Sequence, residues 1–163
     1  VAVKRSVTIV LQAVVVLLGI GVLIALLWEP HVEGRNVHAT LFEMYFNDPF
    51  LAYVYLGSLL FFVGLYKAFK MLGYAGTQRV FSQAAVNALR TINYCALMTA
   101  CAIVVADVYL MFAARSSGED AAGAVALGIV AGFGSIVVAA AATLFARVLQ
   151  SAVAIQSENE LTV

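Results

Sequence analysis

The sequence predicts an all-α integral membrane protein: a bundle of four transmembrane helices with both termini on the cytoplasmic side. Three observations lead there. Of 163 residues, 64% are hydrophobic and 11% charged. Soluble domains carry about 25% charged residues, so this chain lacks the polar surface that water demands. Four segments, near 7–28, 50–72, 92–114 and 121–149, are predominantly apolar. Each has the roughly 20 residues that cross about 30 Å of hydrocarbon at about 1.5 Å per residue. They must be helical, because lipid offers no partner to an unpaired backbone amide. Third, the charge is lopsided. Lys4, Arg5, Lys67, Lys70, Arg79, Arg90 and Arg147, seven of the nine basic residues, fall on one side of the four-span arrangement. The other side has Arg35 and Arg115 against Glu29, Glu33, Glu43, Asp48, Glu119 and Asp120. The positive-inside rule then places both termini and the middle connection in the cytoplasm.

Each span has readable limits. Val7 to Trp28 is too long for the apolar core of a signal peptide and has no small-residue cleavage site before Glu29, so it reads as a retained anchor. The connection from Glu29 to Asp48 is long for a helical hairpin. Leu41, Phe42, Tyr45 and Phe46 make it partly apolar, and it is expected on the outer membrane surface or over the helix ends. Asp48-Pro49 supplies a capping carboxylate and a proline at the first helical position. Gly73 and Gly76 are expected to end that second helix. Ser82 reads as the cap of the third, with Phe81 and Val86 at hydrophobic-staple spacing and two turns lying before the membrane. Ser116 with Glu119 matches a capping box for the fourth helix. No break follows before Gln156, so the tail from 150 to 163 is expected to continue helix four into the cytoplasm, with Val148, Ala152 and Ile155 as its apolar stripe.

Few residues offer chemistry. Asp107 is an ionisable group within the third span, five to seven residues from its outer end, which makes it a candidate site. The plainer reading is an interfacial carboxyl bonded to Tyr109 or a nearby hydroxyl. Gln12, near the inner end of span one, is too far away to partner it. His31 and His38, among Glu29, Glu33 and Glu43, are weak metal candidates without a recognised ligand spacing. No histidine occurs within a span, which excludes a bis-histidine haem, and no cofactor is expected. Cys95 and Cys101 point about 120° apart on one helix and cannot bond to each other. Gly128 and Gly132 form a G-x-x-x-G pair, which suits either packing within the bundle or a homodimer. No basic block suits nucleic acid, and no Ser/His, Cys/His or paired-carboxylate set suits an enzyme. A cytoplasmic docking surface built from Ser82, Val86, Leu89, Arg90, Ile155, Glu158, Asn159 and Glu160 is the remaining candidate.

Those last residues also carry a resemblance. The ending S-E-N-E-L-T-V, the stretch F-S-Q-A-A-V-N-A-L-R-T-I-N-Y-C-A at Phe81 to Ala96, and E-D-A-A-G at Glu119 to Gly123 resemble the YoaS-like family of bacterial membrane proteins. These are four-helix proteins classed as a domain of unknown function. The likeness runs along nearly the whole chain. Family members usually end E-N-D-L-T-V where this chain has Glu160, and have D-D-A-P-G where it has Glu119 and Ala122. The resemblance implies a bacterial plasma (inner) membrane location and a small helix-turn-helix DNA-binding regulator as genetic neighbour. It carries no catalytic residues. The function expected from all this is a non-enzymatic sensor or regulator that holds such a regulator at the membrane. The alternative is a small oligomeric transporter or channel using Asp107.

Overall fold

The second helix starts where its residues dictate. Asp48 is extended and its Oδ1 accepts hydrogen bonds from the Phe50 N–H (3.0 Å) and the Leu51 N–H (3.3 Å), with Pro49 in the first turn. Two of the donors that a helix start leaves unpaired are thereby satisfied. The computed structural model describes residues 5–32, 40, 42, 48–77, 80–118 and 120–160. These residues form α1 (Arg5–Val32), α2 (Pro49–Gly76), α3 (Gln83–Ser117) and α4 (Ala122–Glu160), with no strand among them. All four are long and apolar enough to span a membrane. The chain is an all-α four-helix membrane bundle.

Helix limits differ from the sequence reading in instructive ways. Helix α1 passes Trp28 and runs through Pro30 to Val32. Pro30 has no N–H, so the Leu26 carbonyl loses its helical donor. The Tyr55 hydroxyl of α2 donates to that carbonyl instead, at 3.0 Å. Gly73 does not end α2; the helix continues to Gly76, and the Thr77 N–H returns to the carbonyls of Gly73 and Tyr74. The capping box at Ser116 is absent. Ser116 lies inside α3 and donates to the Ala113 carbonyl (2.8 Å), while Gly118 closes the helix at φ 74°, where a side chain would be strained. Helix α4 begins at Ala122, whose N–H is taken by Asp120 Oδ1 at 2.9 Å. The S-x-x-E pattern overlapped a glycine stop, and the stop prevailed. Ser82 does cap α3, accepting from the Ala85 N–H at 3.3 Å. However, Phe81 is 60% exposed, and Val80 packs toward Val86 instead. In the outer connection only Thr40 and Phe42 are described; Leu41, Tyr45 and Phe46 lie outside the described residues.

Each helix packs antiparallel on the next: α1 on α2, α2 on α3, and, most extensively, α3 on α4. Close approach follows from glycines placed at the seams. On α2, a Cβ at Gly57 would touch Ala102 (3.7 Å), and one at Gly64 would touch Cys95 (3.3 Å). Seven residues along α2 thus match seven back along α3. The Phe50–Tyr109 ring stack (5.1 Å between centroids) and the Tyr53 hydroxyl donating to the Ala102 carbonyl (2.9 Å) lie on the same seam. Both cysteines are free; Cys95 is buried on this seam and Cys101 is exposed. Between α1 and α2, Gly73 admits Gln12, whose Nε2 donates to the Phe69 carbonyl at 3.2 Å. Gly76 admits Thr8, with contacts of 3.1–3.3 Å to an added Cβ.

The Thr8 hydroxyl is buried and has no hydrogen-bond partner among the described residues. A buried polar group left unpaired costs free energy, whereas an apolar group of equal shape does not. Thr8→Val should therefore leave the unfolding midpoint in detergent unchanged or raise it. A drop of more than about 1 kcal/mol, the scale of one lost hydrogen bond, would show that the hydroxyl has a partner after all.

Burial is uneven along the bundle. Across much of the bundle, large apolar side chains stay exposed, as at Leu17 (66%), Leu127 (73%) and Val130 (70%). Lipid tails are as apolar as leucine, so nothing drives these inward. At the end where α1 starts and α2 stops, a buried apolar cluster forms. Ala85, Val86, Leu89, Ala146 and Leu149 form one buried cluster, backed by Met71, Tyr74, Val80, Ile92 and Val153. This end also carries Lys67, Lys70, Arg90 and Arg147. It is called the basic end below.

Candidate functional site

At the basic end, the predicted docking residues separate into two groups. Val86 has no exposed surface and Leu89 is 8% exposed, so neither is available to a partner. Both are spent on α4. The reason lies in α4's periodicity. Ala139, Ala142, Ala146 and Leu149 are buried at intervals of three and four, and Val153 continues the stripe. The stripe read from Val148, Ala152 and Ile155 is not the packed one; Val148 is 69% and Ile155 60% exposed. Arg90 is exposed, and its Nη2 donates across the seam to Gln150 Oε1 at 2.7 Å. Ser82 caps α3, Glu158 is exposed, and Asn159 and Glu160 belong to the last turn of α4, their side chains lying outside the described ones. What remains is a platform whose exposed apolar residues include Phe81, Val148 and Ile155.

Two further residues escaped the sequence reading. Asn93, within the third span, donates from Nδ2 to Thr143 Oγ1 and to the Ala139 carbonyl (3.3 Å), while the Thr143 hydroxyl also donates to Ala139 (2.9 Å). In a lipid surrounding an amide must find such partners, which makes this a polar clasp between α3 and α4. The signal was available: Asn93 is the one carboxamide inside the third span.

At the opposite end, two separate candidates prove to be one feature. Asp107 of α3 points at Gly128 of α4, and its carboxyl group occupies the space that a Cβ at 128 would fill. Gly132, one turn on, is buried with Ile103 at 3.6 Å from its missing Cβ. The G-x-x-x-G pair is therefore consumed within the chain, and a homodimer would need another face. Tyr109 does not bond to Asp107; it stacks on Phe50. Gly128 lies six residues into α4, about 9 Å from its start. Asp107 thus lies toward the end of the bundle that carries Phe50, Tyr53 and Tyr109. No hydrogen bond or ion pair to it occurs among the described residues. Gln12, bonded to Phe69 at the basic end, is remote from it.

His31 lies in the last turn of α1, and His38 lies outside the described residues. Among the described residues no group of three His, Cys, Asp or Glu side chains converges as a metal site would require.

Comparison with known proteins adds breadth. A family described as "Protein of unknown function (DUF2975)" matches residues 37–163. The chain is also similar to the "Uncharacterized membrane protein YoaS" of Bacillus subtilis (strain 168). The two are 35% identical over 163 residues, covering 98% of this chain and 99% of the relative. No solved structure matches the chain.

Proposed function

The chain belongs to the family described as protein of unknown function (DUF2975), and on that premise we propose that it is a non-enzymatic regulator of a bacterial plasma membrane. Its basic end faces the cytoplasm and docks a small protein there, of the kind implied by the resemblance to YoaS-like proteins: a compact helix-turn-helix regulator. The observation that supports this reading is the close packing of α3 on α4 at the basic end. Ala85 and Val86 are fully buried, and Arg90 ties the seam to Gln150. A simple anchor has no need of such an ordered end. The platform leaves Phe81 and Ile155, each 60% exposed, as apolar contacts beside Glu158. A few apolar residues within a polar rim suit a weak, reversible interface.

A photo-crosslinker placed at Ile155 in living cells tests this. The expected result is a crosslink to one small soluble protein, lost when residues 157–163 are deleted, with membrane insertion unchanged. The same probe at Met98, in the third span and 55% exposed, should give none. Crosslinks to extracytoplasmic proteins from Ile155, or capture that survives the deletion, would overturn the reading and favour the transporter alternative.

A further inference from the structure

Beside the α3–α4 seam at the basic end lies a narrow strip with an unusual composition. On α4, Thr143, Arg147 and Gln150 follow at intervals of four and three, so they share one helix face. On α3, Arg90 and Asn93 are three apart and reach the same strip, Arg90 to Gln150 and Asn93 to Thr143. Arg147 therefore shares a helix face with two polar clasps, one turn before the Gln150 that Arg90 holds. Two basic residues thus share the strip by register, and both are exposed. Glu158, on the same helix, is eleven residues further on, about 16 Å along the axis. Two exposed arginines sharing one strip offer paired donors to an anion.

The strip also continues in the other direction. One turn toward the bilayer centre it becomes Leu97 on α3 (44% exposed), and two turns along it becomes Ile136 on α4 (52% exposed). A cationic head region thus leads directly into an apolar track flanking the same seam. An inorganic anion has no use for that track; an acyl chain does.

We propose that Arg90 and Arg147 bind the phosphate of an anionic glycerophospholipid, whose acyl chain lies along Leu97 and Ile136. Arginine suits this role because its planar donors match phosphate oxygens in pairs. Basic sites between transmembrane helices on the cytoplasmic side are a known form of headgroup recognition. The Arg90–Gln150 bond fixes one guanidinium in advance, and the Ser151 hydroxyl, donating to the Arg147 carbonyl at 3.2 Å, lies on the same turn. This assignment is independent of any protein partner.

Native mass spectrometry of the full chain in mild detergent tests it, with phosphatidylglycerol and phosphatidylcholine offered in equal amounts. Phosphatidylglycerol should be retained in preference. Arg147→Gln should weaken that retention by about fivefold, the scale of one basic residue near a charged membrane surface, with an unchanged melting temperature. Lys70→Gln should have no such effect, because Lys70 folds over the Tyr66 ring on α2 (5.1 Å). Millimolar inorganic phosphate should not compete. Equal retention of both lipids, retention unaltered by Arg147→Gln, or displacement by inorganic phosphate would each overturn the proposal.

Discussion

Gly128→Ala is expected to destabilise the bundle by about 1–3 kcal/mol, the range for overpacking a filled site. Propensity alone argues the other way, since alanine is better than glycine in a helix by about 1 kcal/mol. The geometry decides the sign, because the new methyl would coincide with the Asp107 carboxyl group. Asp107 would have to swing out, and α4 would have to separate from α3 near its start. Gly134 provides the control. It lies on the same helix with nothing within 4 Å of its missing Cβ, so Gly134→Ala should be neutral or slightly stabilising. Adding Asp107→Ala to Gly128→Ala should recover most of the loss, as expected for directly contacting residues whose effects are coupled. Adding Asp107→Asn should not, because asparagine has the same bulk. Unfolding in mixed micelles separates these outcomes. Rescue by Asp107→Asn would show that charge rather than volume is at issue, and would return Asp107 to the status of an ion-coupling carboxylate.

This pair also shows where sequence reasoning reached and where it stopped. The four spans, the Asp48 and Ser82 caps and the continuation of α4 into the tail were legible, because hydrophobic length and capping chemistry are local. Asp107 and Gly128 were each visible as exceptional, but their partnership was not. It depends on the antiparallel register of α3 and α4, which seam residues set across a separation of 21 positions. The same limit applies to Asn93 with Thr143 and to Arg90 with Gln150. The glycines of α2 were misjudged for a related reason. Gly73 looked like a helix stop, yet it is a notch for Gln12 of α1, and only the neighbouring helix reveals that role. At the tail, the choice of stripe failed because Ala146 and Leu149 precede the soluble-looking segment and set its phase.

The packed and the exposed residues of the basic end should respond to mutation in opposite ways. Val86 is fully enclosed by the cluster of Ala85, Leu89, Ala146 and Leu149. Val86→Ala removes two methyl groups from that enclosure and should cost about 2 kcal/mol. Val86→Asp places a carboxylate where no donor is available and should cost more than about 4 kcal/mol, the range of exceptional single mutations. Folded chain should then be nearly absent from membranes. Ile155 is 60% exposed on the same platform, so Ile155→Asp should change stability by no more than about 0.5 kcal/mol. If the platform docks a protein, Ile155→Asp nevertheless abolishes capture, because it places a desolvated charge at the contact. Val86→Ala lowers capture only as far as it lowers the folded fraction, and cooling should restore both together. Melting curves and crosslinking yields on the same preparations distinguish these patterns. A chain that tolerates Val86→Asp with an unchanged midpoint would mean that α3 and α4 are not packed here as described. An Ile155→Asp chain that keeps its partner would leave the packing intact and move the docking surface elsewhere.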